Sequence, residues 1–143
     1  MKLRYLFVFV LTVVLAACNG AANRAVSQQP AAVQEAGALN LPDSVDVQTV
    51  ASLRGRDDVV LIDVREQWEY DEGHIPNITL MPMAEVPNRL SEIPRDKTVI
   101  VTCRSGNRSG QVTQFLQQNG FDNVHNMQGG IVAWQQAGLD VEK

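Results

Sequence analysis

Two short, uninterrupted apolar runs, Val59–Ile62 and Val99–Val101, limit the folds open to this sequence. A strand with one face in water alternates apolar and polar residues, whereas an unbroken apolar run is typical of a strand covered on both faces. Stretches with apolar residues at helical spacing lie between the predicted strands. The sequence therefore predicts an α/β fold, with a parallel sheet of about five strands and helices on both of its faces.

The remaining elements are predicted from the spacing of apolar residues and from residues that end helices. Short strands are expected at residues 78–80 and around Val124. Helices are expected over residues 46–53, 67–72 and 86–93, in a segment that ends at Asn119-Gly120, and after Gly129-Gly130. Sheets of this kind bind ligands at the carboxyl ends of their strands. The side chains that follow Val99–Val101 are therefore candidates for a functional site.

Residues 102–109, with the sequence Thr-Cys-Arg-Ser-Gly-Asn-Arg-Ser, follow the second apolar run and precede a helix-forming stretch. A strand, a tight turn and a helix direct backbone N–H groups and the positive end of the helix dipole at one point, which suits an anion. Cys103 stands there with Arg104 and Arg108 nearby, and these surroundings favour the nucleophilic thiolate. We interpret the loop as reactive towards anionic substrates, in preference to an ordinary buried cysteine.

Cys103–Arg108 resembles the active-site loop of the rhodanese sulfurtransferases. Three further segments resemble motifs of that family, namely its first-strand signature, its second signature and the entry to its C-terminal helix: Leu61–Glu66, Glu69–Pro76 and Gln128–Trp134. The resemblance runs from about Val45 to the C-terminus and implies a rhodanese domain over residues 44–143. The sequence departs from the family pattern at Asn77-Ile78, which replaces the usual Gly-Ala pair, so a displaced backbone is expected there.

The resemblance implies an enzyme similar to thiosulfate sulfurtransferase. Cys103 would take the outer sulfur of thiosulfate or a similar donor, become a persulfide, and pass the sulfur to a thiophilic acceptor such as cyanide or a thiol. Arg104 and Arg108 would neutralise the donor's charge, while the backbone N–H groups of residues 104–108 would hold the bound sulfur. Gly106 would let the loop turn, and Ser105 and Asn107 would shape the pocket. No cofactor and no metal is implied.

Several other residues receive a structural interpretation. Asp63 and Arg65 are expected to form an internal ion pair that supports the loop, with Arg65 facing the pocket as the alternative. His74 is expected to be a structural hydrogen-bonding residue. Trp68 and Trp134 are expected to pack in the core or at its rim. No role is evident for His125.

Two other functions share part of this pattern. Cysteine phosphatases and arsenate reductases also pair a cysteine with an arginine across an anion-binding loop. Phosphatase loops place one residue more between the two than the four that separate Cys103 from Arg108, and they typically carry His where this sequence has Thr102. A non-enzymatic persulfide carrier would use the same cysteine chemistry, so the sequence leaves that alternative open.

Residues 1–17 are predicted to be a bacterial lipoprotein signal peptide. Lys2 and Arg4 precede an apolar segment too short to span a membrane, and Leu-Ala-Ala before Cys18 resembles the site at which such proteins are cleaved and lipidated. Residues 18–43 would then be a lipidated N-terminus and flexible linker. The alternatives are a plain secretory signal and an uncleaved anchor. By resemblance, Asn19 implies the outer membrane of a Gram-negative cell, with the domain facing the periplasm or the exterior.

Charge and cysteine usage restrict the partners. Removal of residues 1–17 takes two of the 12 basic side chains and none of the 16 acidic ones, so the remainder has a net charge of −6. This balance argues against a nucleic-acid partner. With Cys18 lipidated, Cys103 would be the sole free thiol, which excludes an intramolecular disulfide and a Cys/His metal cluster. The expected partners are a small sulfur-containing anion, a thiophilic acceptor and the membrane, and the domain is expected to be a monomer.

Overall fold

The computed structural model describes residues 39–143. The predicted signal peptide, Cys18 and the predicted linker as far as residue 38 lie outside the described residues. The described elements are β1 Ser44–Val45, α1 Val47–Leu53, β2 Val59–Asp63, α2 Gln67–Glu72, β3 Thr79–Leu80, β4 Thr98–Thr102, α3 Asn107–Gln118, β5 Val124–Met127 and α4 Gly130–Gln136. Within residues 39–143, no helix is both long and apolar enough to cross a membrane.

The five strands form one sheet in the order β1-β5-β4-β2-β3, and every pair of neighbours is parallel. The register of β2 against β4 runs from Val59 opposite Thr98 to Asp63 opposite Thr102. The predicted parallel sheet of five strands is confirmed. The residues that follow Asp63 and Thr102 therefore leave the sheet side by side, at the carboxyl ends of two adjacent inner strands.

Two apolar clusters cover the two faces of the sheet. In one of them, Val112 of α3 lies with Val99 and Val101 of β4. In the other, Trp134 of α4 lies with Ile100. Successive residues of a strand point to opposite faces, so α3 covers one face and α4 the other. The predicted helical layers on both faces are confirmed.

The prediction of an α-helix over residues 86–93 is wrong, because this segment forms two short 3-10 helices, Val86–Asn88 and Leu90–Glu92. Its proline, asparagine and serine have low helix propensity, and it closes with tighter bonds such as Asn88 N–H to the Glu85 carbonyl at 2.9 Å. Its apolar side chains pack into the cluster on the α3 face. The apolar spacing that predicted the helix is therefore met by tighter turns.

Two local features complete the fold. β1 has no counterpart among the predicted strands because Val45 is its one apolar residue, and it pairs with the edge of β5. Asn77 adopts a φ of 62°, which is the left-handed region that glycine occupies freely and asparagine tolerates better than most residues. The Asn-Ile pair therefore has a backbone conformation that glycine could also take, and Ile78 is buried in the core.

Candidate active site

Cys103 lies at the carboxyl end of the central strand β4 and opens the loop that leads into α3. Its sulfur accepts a hydrogen bond from the Gly106 backbone N–H at 3.2 Å and lies 3.4 Å from the Ser109 hydroxyl oxygen. The residue is a free cysteine and is only 1% exposed. The loop therefore directs polar hydrogens at a sulfur atom that is otherwise shielded from solvent.

These surroundings change the acidity of the thiol. Burial of Cys103 opposes ionisation, but hydrogen bonds from the Ser109 hydroxyl and from the backbone N–H groups of Ser109, Ser105 and Gly106 outweigh that cost. Their combined effect lowers the pKa of the Cys103 thiol below its ordinary value of 9.0. A lowered thiol pKa increases the fraction of nucleophilic thiolate near neutral pH.

The loop conformation depends on glycines at two close contacts between the cysteine loop and the segment that opens α4. Gly106 adopts a φ of 92° and a Cβ there would meet the Gly129 backbone nitrogen at 3.1 Å. Gly130 adopts a φ of 56°, and a Cβ there would come within 2.3 Å of the Cys103 carbonyl oxygen. That carbonyl accepts the N–H of Ile131 at 2.8 Å. The first turn of α4 thus holds the cysteine loop from behind, at a distance that a side chain would prevent.

Arg108 is bound by an acidic partner that the sequence did not reveal. Its guanidinium donates two hydrogen bonds of 2.7 Å to the carboxylate of Glu69 on α2. The pair raises the pKa of Arg108 and lowers that of Glu69. Arg108 was expected to neutralise a bound donor. In the structure, two of the N–H groups of its guanidinium are hydrogen bonded to Glu69. Arg104, in contrast, is exposed, and within residues 39–143 its side chain has no ion-pair partner.

Asp63 and Arg65 form an ion pair at 2.7 Å, and both side chains are buried. The same guanidinium donates to the Glu69 carbonyl at 3.0 Å and to the Gly73 carbonyl at 2.9 Å. Arg65 therefore ties the end of β2 to the middle of α2 and to its C-terminal cap, and it positions the helix that carries Glu69. Its connection to the cysteine loop is indirect, through Glu69 and Arg108.

A cavity of about 300 Å³ lies beside the loop and includes both arginines 65 and 104 in its wall. The side chain of Trp68, which is 62% exposed, also lines it, as does Ile131 at the start of α4. The rest of the cavity wall comes from α2, from the glycine directly after it and from α4: Glu69, Glu72, Gly73, Val132 and Gln135. Trp68 thus lies at the rim of a cavity, whereas Trp134 is fully buried and donates its indole N–H to the Asp140 carbonyl.

The remaining predicted residues are placed as follows. Ser105 and Asn107 are exposed on the loop and at the first residue of α3. His74 contacts the Tyr70 carbonyl through Nδ1 at 3.0 Å and stacks on the Tyr70 ring, which fits a structural role. His125 contacts the Pro42 carbonyl through Nδ1. Within the described part of the chain, no group of His, Cys, Asp or Glu side chains could hold a metal ion.

Three residues of the site were not assigned by sequence reasoning: Glu69, Ser109 and Asn126. Ser109 follows Arg108 directly and could have been found as the residue one turn into the helix that faces back to the sulfur. Glu69 lies on α2, and Asn126 lies on β5, where its Oδ1 accepts the Ser109 hydroxyl at 2.7 Å. No local pattern links either residue to Cys103. Their contribution depends on the tertiary arrangement alone.

The fold and this loop together define an α/β domain with a free cysteine of lowered thiol pKa at the end of its central strand. The family model of the Rhodanese-like domain matches residues 46–137. A protein named "Sulfurtransferase" from Allochromatium vinosum is 40% identical over 100 residues, which cover 69% of this chain and 94% of that protein. The chain therefore belongs to the rhodanese-like domain family, as its motifs predicted.

Other relatives agree with this assignment. A protein named "Thiosulfate sulfurtransferase GlpE" from Pseudoalteromonas translucida is 30% identical over 93 residues, which cover 65% of this chain and 89% of that protein. The crystal structure of a rhodanese-related protein from Thermoplasma volcanium matches with a TM-score of 0.65 at 31% identity, covering 71% of this chain and 98% of that one. Both matches span nearly the whole length of the relative.

Proposed function

We propose that this protein is a sulfurtransferase that moves sulfane sulfur through a persulfide on Cys103. The observation that carries this proposal is the convergence of the Gly106 N–H and the Ser109 hydroxyl on the Cys103 sulfur. Such donors stabilise an anionic sulfur in the resting thiolate and suit the negative charge of a persulfide. The names of the sulfurtransferase relatives support the same reaction class.

The reaction has two balanced steps. In the first, the Cys103 thiolate attacks the outer sulfur of thiosulfate or a similar donor, and a new S–S bond forms as the donor's S–S bond breaks. Sulfite leaves with the electron pair of the broken bond, and Cys103 becomes an anionic persulfide. In the second step, cyanide or a thiolate attacks the outer sulfur, and the Cys103 thiolate is released. No external oxidant or reductant is consumed when cyanide is the acceptor.

The two arginines of the loop take different parts in this proposal. Arg104 is exposed and lines the cavity, so its charge attracts an anionic donor to the loop. Arg108 is bound to Glu69, so it fixes the start of α3. Its positive charge lies near the sulfur, but its guanidinium does not bind the donor directly. This assignment also weighs against phosphate-monoester chemistry, in which an arginine must be free to bind the phosphoryl oxygens.

A persulfide carrier is the second candidate, and the cavity favours it. A volume of about 300 Å³ with an exposed tryptophan at its rim gives room for more than a small inorganic anion. Such a space would suit the cysteine-bearing part of a partner that donates or receives sulfur. Comparing thiosulfate with a protein persulfide as donor separates the enzyme from the carrier.

The decisive experiment follows the mass of Cys103. The chain carrying Cys18→Ser, in which Cys103 is the sole thiol, is incubated with thiosulfate and then with cyanide. We expect a gain of one sulfur atom on Cys103 that cyanide removes, and no gain in the Cys103→Ala variant. Equal sulfur transfer by Cys103→Ala would refute the mechanism. A folded protein that gains sulfur from a protein persulfide and not from thiosulfate would point to the carrier.

The location proposed for the domain rests on the sequence alone. Residues 1–17 would direct export, and lipid on Cys18 would hold the domain at the cell envelope, facing the periplasm or the exterior. Fractionation of bacteria that produce the full chain tests this. Cys18→Ser should move the protein from the membrane to the soluble fraction, whereas Cys103→Ser should leave it at the membrane. A membrane fraction unchanged by Cys18→Ser would reject lipid attachment at that residue.

A further inference from the structure

A chain of three polar groups connects the Cys103 sulfur to strand β5. The Ser109 hydroxyl oxygen lies 3.4 Å from the sulfur and 2.7 Å from Oδ1 of Asn126. Ser109 is fully buried, so water does not supply a further partner for its hydroxyl. The three side chains come from β4, α3 and β5 and meet only in the folded domain.

A serine hydroxyl carries a single hydrogen, which limits what this chain can do at one time. While the hydroxyl donates to Asn126 Oδ1, its oxygen is free to accept the S–H of a neutral Cys103. When the sulfur is an anion, the hydroxyl hydrogen is needed there, and the serine oxygen then faces Asn126 with its lone pairs. Two oxygen atoms 2.7 Å apart repel each other unless a hydrogen lies between them.

The Asn126 side chain can resolve this conflict because it carries both an acceptor and a donor. A half-turn of its amide exchanges Oδ1 for Nδ2, and Nδ2 can donate to the Ser109 oxygen. Within residues 39–143, its amide makes no side-chain hydrogen bond other than the one to Ser109. The neighbouring residue on α3 is Gly110, which has no side chain to hold the amide in one orientation.

We propose that Asn126 is a positioning residue that acts on Cys103 through Ser109. By presenting Nδ2 in place of Oδ1, it lets the Ser109 hydroxyl donate to the sulfur whenever the sulfur is anionic. The direction of hydrogen-bond donation from Asn126 through Ser109 to Cys103 then reverses with the charge state of the sulfur. The proposal deepens the sulfurtransferase function proposed above and rests on its use of a Cys103 thiolate.

The charged groups on the elements around Cys103 already have other partners, so they do not take over the role proposed for Asn126. Arg108 on α3 is bound to Glu69 of α2, and Arg65 is bound to Asp63 at the end of β2. On β5, the titratable neighbour His125 is hydrogen bonded to the Pro42 carbonyl. The exposed Arg104 is the remaining charge on the loop, and it is unchanged in every variant proposed below.

The test compares variants in which the side chain at position 126 can no longer switch between accepting from and donating to the Ser109 hydroxyl. In Asn126→Asp, an ionised carboxylate can only accept, so it captures the Ser109 hydrogen and withholds it from the sulfur. In Asn126→Leu, an apolar side chain of similar size leaves the sulfur as the remaining partner of the hydroxyl. Ser109→Ala removes the link, and the double variant Ser109→Ala with Asn126→Asp shows whether the aspartate acts through the serine.

The measurement is the pH profile of alkylation of Cys103 by iodoacetamide, in the chain carrying Cys18→Ser. We expect Asn126→Asp to move the midpoint to higher pH and to slow alkylation near neutral pH about tenfold. Asn126→Leu should not raise the midpoint. Ser109→Ala should raise it, and adding Asn126→Asp to Ser109→Ala should raise it little further.

Two results would overturn the proposal. If Asn126→Asp raises the midpoint as much without Ser109 as with it, the aspartate acts by direct charge repulsion. If Asn126→Leu raises it as much as Asn126→Asp, Asn126 only supports the packing. Thermal unfolding checks that each variant folds. If Asn126→Asp does not fold, the different results expected for the other two single variants decide: a raised midpoint in Ser109→Ala and no rise in Asn126→Leu. Alkylation needs no sulfur donor, so failure of sulfur transfer alone would reject the proposed function and leave this inference standing.

Discussion

Arg108 and Glu69 are joined by two hydrogen bonds of 2.7 Å, although they lie 39 positions apart in the chain. The Glu69 side chain is only 9% exposed, and its second role is to accept the Glu66 N–H at the start of α2. The pair therefore fixes the first turn of α3, which carries the cysteine loop, against α2, which lines the cavity. Its loss should change stability and sulfur handling together.

Arg108→Ala should destabilise the domain by about 2 kcal/mol while leaving it folded, because a nearly buried carboxylate is left without its partner. Urea unfolding at neutral pH measures the change. The matched control is Arg89→Ala, whose guanidinium pairs with the exposed Glu85 and Glu92 and whose loss should leave the urea midpoint almost unchanged. Equal losses in the two variants would contradict the role given to the Glu69 pair.

The same pair should make stability depend on pH in a defined direction. The hydrogen bond from Arg108 lowers the pKa of Glu69 below its ordinary value of 4.5. A carboxyl whose folded pKa is lowered stabilises the folded state above its unfolded pKa, and this contribution disappears as the pH falls through the folded pKa. The free energy of unfolding of the natural chain should therefore exceed that of Glu69→Gln at neutral pH, and the difference should shrink below about pH 4.5. A difference that grows on acidification would show the opposite sign and reject the assignment.

Gly130→Ala should disrupt the loop more than any helix propensity argument suggests. The new Cβ would lie 2.3 Å from the Cys103 carbonyl oxygen, so either α4 or the loop must move, at a cost of about 2–3 kcal/mol beyond backbone strain. Gly138→Ala is the control, since Gly138 also has a positive φ but nothing lies within 4 Å of its Cβ position. It should cost only about 1 kcal/mol. Thermal unfolding and alkylation of Cys103 measure both effects, and similar losses in the two variants would disprove the close approach.

The parts of the fold that were predicted correctly depend on local signals. The unbroken apolar runs identify β2 and β4, and the position of Cys103 directly after β4 places it at the ligand-binding edge of a parallel sheet. The family motifs add the order of the elements. β1, with Val45 as its one apolar residue, gives no such signal. The 3-10 helices after β3 were mistaken for an α-helix because both kinds of helix bury residues at similar spacing.

The composition of the site was predicted less completely than its location. Cys103 and its turn could be found because adjacent residues form them. The partner of Arg108, in contrast, lies on a different helix, and Asn126 comes from the strand beside β4. A single sequence shows which residues are charged or polar, but ion pairs between distant elements follow only from packing in the folded state. For this reason the pairing of Arg108 with Glu69 could not be predicted, and donor binding by Arg104 and Arg108 stays a prediction.

Arg65→Lys should destabilise the domain although it keeps the positive charge. The Arg65 guanidinium binds Asp63 and two backbone carbonyls of α2 and its C-terminal cap, and a lysine ammonium cannot reproduce that planar set of donors. We expect a loss of about 2–3 kcal/mol in urea unfolding. Arg56→Lys serves as the control, since its pair with Asp58 is exposed and its replacement should leave the midpoint unchanged. A midpoint for Arg65→Lys equal to that of the natural chain would show that charge alone suffices.

Trp68→Ala should slow sulfur transfer to a large acceptor but not to a small one, with little effect on the stability of the domain. Trp68 is 62% exposed, whereas Trp134 is fully buried, so Trp68→Ala should change the free energy of unfolding by less than about 0.5 kcal/mol and Trp134→Ala by about 3–5 kcal/mol. Trp68 lines the cavity, and an organic thiol that fills this space should contact the indole ring, whereas cyanide is too small to do so. We therefore expect sulfur transfer to an aromatic thiol to fall about fivefold in Trp68→Ala, the effect of losing about 1 kcal/mol of aromatic contact, with transfer to cyanide unchanged. Val141→Ala is the control, because it truncates an exposed apolar side chain outside the cavity wall, and it should alter neither rate. If Trp68→Ala slowed transfer to both acceptors equally, the cavity would not be the place that receives the acceptor.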